Sequence, residues 1–136
     1  MAPGQADLHM DLAHCLALAG RPDEAVGELR EAIRLQPRAS APMAMAAMIL
    51  ATNPNVAARN SSEAIRLARR ADELTGGSDS GVLEILAASY AAGGRFEDAV
   101  AAERKALDLV SAQGDGQLAA EMEAALDLYK RGLTRH

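Results

Sequence analysis

The chain has 136 residues and a formal charge of −5, with 31 alanines and only three aromatic residues, Tyr90, Phe96 and Tyr129. That length supports one domain or a small array with a real core, and the balance of apolar and charged residues excludes a disordered chain. The acidic charge and the missing aromatic platforms argue against nucleic-acid binding, and the single Cys15 excludes a disulfide-built scaffold.

Alanine is the best helix former and a poor strand residue, so an all-α chain is expected. Leu8, Leu12 and Leu16 recur every four residues and place one stripe on a first helix, which Gly20 ends. Pro22 suits the first turn of a second helix, where its missing N–H costs nothing, and Asp23 and Glu24 favour the helix dipole there. Ala25, Leu29, Ala32 and Ile33 form its apolar stripe, and Pro37 stops it. Ser40 reads as the cap of a third helix reaching Thr52. A loop is expected over Asn53 to Asn60, with Asn60 and Glu63 forming a capping box for a fourth helix that Gly76 and Gly77 end. A fifth helix, capped by Asp79 or Ser80, closes at Gly93-Gly94. Phe96 to Val110 makes a sixth, and Gln117 to about Arg131 a seventh.

The second helices of three successive hairpins align through Asp23-Glu24-Ala25-Val26, Ser62-Glu63-Ala64-Ile65 and Glu97-Asp98-Ala99-Val100. A further alanine stands seven residues on in each, at Ala32, Ala71 and Ala106. Small residues recur at such a period where two helices cross closely. First helices follow a large, leucine, small, large pattern: His9, Leu12, Ala13, Leu16, then Met43, Ala46, Ala47, Leu50, then Leu83, Leu86, Ala87, Tyr90. On these residues, with the turn glycines Gly20 and Gly94 and the terminal Pro37, the chain resembles the tetratricopeptide repeat (TPR) family. The large residue of the second helix departs from that pattern, being Leu29, Ala68 and Glu103 in turn.

The resemblance implies a right-handed α-solenoid of three hairpins, about 6–39, 40–78 and 79–113, with a capping helix at about 116–132. The phrases Leu50-Ala51-Thr52-Asn53-Pro54 and Tyr90-Ala91-Ala92-Gly93-Gly94-Arg95-Phe96 are similar to the last repeats of long bacterial TPR proteins. The chain is therefore expected to be the C-terminal part of something longer.

A stacked array leaves a concave groove lined by first helices. In the TPR family this groove holds a peptide or helix. The expected groove residues are Asp7, Met10, His14 and Leu18, then Ala44, Met48 and Thr52, then Glu84 and Ala88. The positions that grip a chaperone-tail carboxylate in some TPR proteins are here Met10, His14, Met45, Gly81 and Ile85, which argues against that sub-function.

No catalysis is expected. His9 and His14 are off ligand spacing, His14 and Cys15 point in different directions, and Cys15 reads as a buried small residue. No metal or cofactor is expected either. Arg66, Arg69 and Arg70 read as a solvated outer face in preference to a phosphate or partner patch. The uncharged stretch from Ala39 to Ala58 is broken by Pro42 and Asn53-Pro54-Asn55 and falls short of the ~20 apolar residues a bilayer needs. Asp7 and Asp11 interrupt any secretory signal, so a cytoplasmic location is expected. The expected function is a non-catalytic scaffold for a protein or peptide partner, without nucleic-acid or membrane contact. The alternatives are self-association as a homodimer through an uncapped N-terminal face, and the tail of a larger membrane protein or transferase.

Overall fold

The computed structural model describes residues 4–132, and the backbone alone over 54–59. Seven helices follow one another: α1 (Gln5–Leu18), α2 (Pro22–Leu35), α3 (Ser40–Thr52), α4 (Pro54–Leu74), α5 (Ser80–Ala92), α6 (Phe96–Ala112) and α7 (Gly116–Lys130). No strand occurs among the described residues. Helices pair as α1/α2, α3/α4 and α5/α6; α3 then packs on α2 and α5, α5 on α4, and α7 on α6. The protein is thus all-α, with three helical hairpins stacked in chain order and a seventh helix at the end.

The aligned alanines explain the stacking. Ala25, Ala32, Ala64, Ala71, Ala99 and Ala106 of the second helices are all fully buried, as are Ala13, Ala47 and Ala87 of the first. A methyl group at each crossing lets two helix axes approach closely, and a longer side chain would hold them apart.

The hairpin turns repeat as well. Gly20 (φ 77°) follows α1 and Gly94 (φ 76°) follows α5, a backbone region that L side chains avoid. In the first turn Arg21 N–H donates to Leu16 O (2.9 Å) and Gly20 N–H to Ala17 O (3.1 Å). In the third, Arg95 N–H donates to Tyr90 O (2.8 Å) and Gly94 N–H to Ala91 O (3.0 Å). Both pairs close a helix C-terminus in the same way and satisfy carbonyls that would otherwise lack partners. No atom lies within 4 Å of where a Cβ on Gly94 would stand, so Gly94→Ala would suffer from backbone strain alone. We expect a loss of about 1–2 kcal/mol in urea unfolding.

Two local expectations change. The chain re-enters helix at Pro54, so the loop expected up to Asn60 is helical backbone, broken only at Asn60 (φ −123°, ψ 17°). Proline is well placed to start a helix, since its fixed φ is already helical. Ser40 is the first residue of α3 and not its cap; the cap position is Ala39, without a side-chain bond. Two aspartates do cap: Asp79 accepts from Val82 N–H (3.2 Å) and Asp115 from Leu118 N–H (3.0 Å).

Two residues of the α1 leucine stripe, Leu8 and Leu12, face away from the core, whereas Leu16 packs against it. The residues α1 buries are Ala6 and Ala13. Leu8 and Leu12 stand on the opposite side of the helix and are 68% and 47% exposed. Cys15, expected inside, shares that outer side and is exposed. The reason is angular: α2 covers the Ala6–Ala13 side, and positions 8, 12 and 15 lie about half a turn away from it.

Candidate functional site

The first helices present a narrow outward strip. On α1, Asp7, His14 and Leu18 are exposed. On α3 the exposed residues are Ala41, Met48 and Thr52, and on α5 Glu84, Ala88 and Ala92 are half-buried. Two features differ from expectation. Ala44 is buried in a core cluster with Met43, Ala71 and Val82, because α3 is flanked by helices on both sides and only its outermost positions stay open. Met10 is half-buried against the cluster that contains Ala13, Leu29, Ala46 and Leu50.

The strip carries apolar surface. Among the described residues the exposed large hydrophobics are Leu8, Leu12, Leu18 (76% exposed) and Met48 (44% exposed); Leu18 and Met48 belong to the strip, whereas Leu8 and Leu12 lie further round α1. Thr52 contributes little polarity, since its hydroxyl donates to Met48 O at 2.7 Å within the same helix. Exposed apolar side chains on the first helices of two stacked hairpins mark a surface that gains by being covered. Methionine adapts to differently shaped partners because its side chain is unbranched and polarizable.

Polar contacts also link the helices at the surface. His9 Nδ1 lies 2.6 Å from Glu28 Oε2 and joins α1 to α2 with both groups half-buried. Arg30 on α2 donates to both carboxylate oxygens of Glu63 on α4, at 2.7 and 3.0 Å, and so links the first hairpin to the second. A hydrogen bond from Arg34 holds the exposed Glu31 carboxyl below its ordinary range and raises Arg34 in turn. These surface pairs orient helices more than they stabilise them.

A second surface feature lies on the other helices. Ser61, Ser62, Ile65, Arg66, Arg69, Arg70 and Glu73 of α4 and Gly93 and Arg95 of the α5–α6 turn line an open groove of about 530 Å³. The periodicity of α4 shows the three α4 arginines as an outer face. Arg95 is 25 positions beyond Arg70 in sequence and joins them only because the third hairpin stacks on the second.

Among the described residues no three His, Cys, Asp or Glu side chains gather as a metal site, and no helix is long and apolar enough to cross a membrane. No protein-family model matches the chain, and no curated protein sequence matches it.

Proposed function

We propose that the chain is a non-catalytic protein–protein interaction scaffold of the TPR kind, holding a peptide or helix of a partner along the outward strip of its first helices. The observation that carries this reading is the placement of Leu18 and Met48, large apolar side chains left in water on α1 and α3. An amphipathic helix laid along such a strip buries its apolar stripe against adaptable side chains. The fully buried alanines beneath support a rigid platform, which lowers the entropy lost on binding. Leu18→Glu with Met48→Glu should abolish partner capture in a pull-down with the intact chain, while the helical circular dichroism stays as in the wild type. Both side chains are exposed, so the fold has little to lose. Capture that survives both changes refutes the strip.

A second reading has its own observation. Leu8, Leu12 and Cys15 form an exposed seam on the side of α1 away from α2. Self-association through this seam would bury it in a symmetric pair. Light scattering decides: a dimer that Leu12→Glu dissociates supports the seam, and a clean monomer removes it.

A further inference from the structure

We propose that the arginine groove between α4 and the α5–α6 turn is a separate docking site for an acidic segment of a partner polypeptide. Its residues share nothing with the first-helix strip.

The groove is a structured feature and not merely a charged helix face. A Cβ on Gly93 would lie 3.2 Å from Ile65 Cδ1 and 3.6 Å from Ser61 Cβ, so the turn rests directly on α4 and walls the groove. Arg95 is held by the backbone bond of that turn to Tyr90 O (2.8 Å), and its guanidinium stands 4.8 Å from the centre of the Tyr90 ring. A guanidinium fixed over an aromatic face loses less freedom on binding a carboxylate than a free one does.

Four guanidiniums line the groove beside a single carboxylate, Glu73, in a protein whose net charge is −5, and the local acids leave them under-neutralised. Glu73 meets Arg70 only at 3.4 Å. Glu63 is occupied by Arg30 and stands 3.9 Å from Arg66. Asp98 takes Arg95 at 2.8 Å, with both groups about half exposed. Arg69 is exposed and has no acidic partner among the described residues. An excess of positive charge lining one groove attracts an anion, and arginine forks fit carboxylates in pairs. Ile65 and the Ser61 hydroxyl add apolar and hydrogen-bonding contacts to the same groove. An extended run of Asp and Glu with an interspersed apolar residue matches this lining. Single-stranded nucleic acid fits less well, since it needs open aromatic faces for stacking and Tyr90 is already covered by Arg95.

Fluorescence anisotropy on the full chain tests the site with a short labelled poly-glutamate peptide and a labelled oligothymidylate of equal charge. Poly-glutamate should bind saturably and more weakly as ionic strength rises. Arg69→Glu with Arg95→Glu should weaken it by about tenfold or more. Leu18→Glu with Met48→Glu should leave it unchanged, which separates this groove from the first-helix strip. Unaltered circular dichroism for each variant shows that the fold is intact. Absent peptide binding, binding indifferent to the arginine changes, or equally tight binding of oligothymidylate each overturns the proposal, the last in favour of a nucleic-acid surface.

Discussion

Tyr129→Ala is expected to destabilise the protein by about 3–5 kcal/mol. Tyr129 is 1% exposed and heads the largest fully buried side chains. It belongs to the same cluster as Leu86, Ala87, Ala99 and Ala125, so one ring on α7 closes the core of the third hairpin. Its cluster combines alanines with Leu86, Phe96 and Val100, and the alanines have no long side chains with which to refill the void. The cavity term should therefore lie within the usual range for an aromatic truncation. In a chain of this size the loss corresponds to a fall of roughly 10 °C or more in Tm, read by thermal unfolding. Hydrogen exchange should locate the damage: amides of α7 lose protection first, because α7 is the last helix and its main packing partner is α6. Glu123→Ala, exposed on the same helix, should change stability by less than about 0.5 kcal/mol. If Tyr129→Ala matched Glu123→Ala, α7 would not be part of the cooperative core.

The second large effect comes from one equivalent position in three hairpins. Leu29, Ala68 and Glu103 stand at the same place in α2, α4 and α6, and all three are fully buried. Leu29→Ala should cost about 2–5 kcal/mol, measured by urea denaturation, since it removes an isobutyl group packed among Ala13, Ala25, Ala46 and Leu50. Glu103→Leu tests the same equivalence in the other direction. Glu103 is engaged in an interaction of its own, and a single replacement leaves the group it meets uncompensated, so Glu103→Leu should cost about 1–5 kcal/mol. Losses in both Leu29→Ala and Glu103→Leu are the expected pair of results. A neutral Glu103→Leu would show that the third hairpin uses this position for packing alone.

The residues that were legible from sequence are those governed by local chemistry. Helix ends were marked by Gly20, Pro22, Pro37, Asp79 and Gly94, because φ, a missing N–H or a capping carboxylate acts within a few residues. The period of the small residues located the crossings, because a helix must bury its least bulky face where a neighbour approaches most closely. The break at Asn60 was placed well, but the helical turns before it were missed. Asn-Pro reads equally as turn punctuation and as a helix start, and the sequence offers no signal to separate them.

Helical order, the three hairpins and the buried alanines at their crossings were thus determined by the sequence itself, through propensity, capping and spacing. The tertiary structure decided which apolar residues are core and which are surface. Leu8, Leu12 and Leu16 have the spacing of a core stripe, yet the first two face water, because periodicity defines a face and says nothing about what covers it. Ala44 went the other way, buried because α3 has a helix on each side. Arg95 joined Arg66, Arg69 and Arg70 only through the stacking of two hairpins. The reason is common to all three cases: a helix repeats its own geometry every few residues, whereas its neighbours are chosen by packing between segments far apart in the chain.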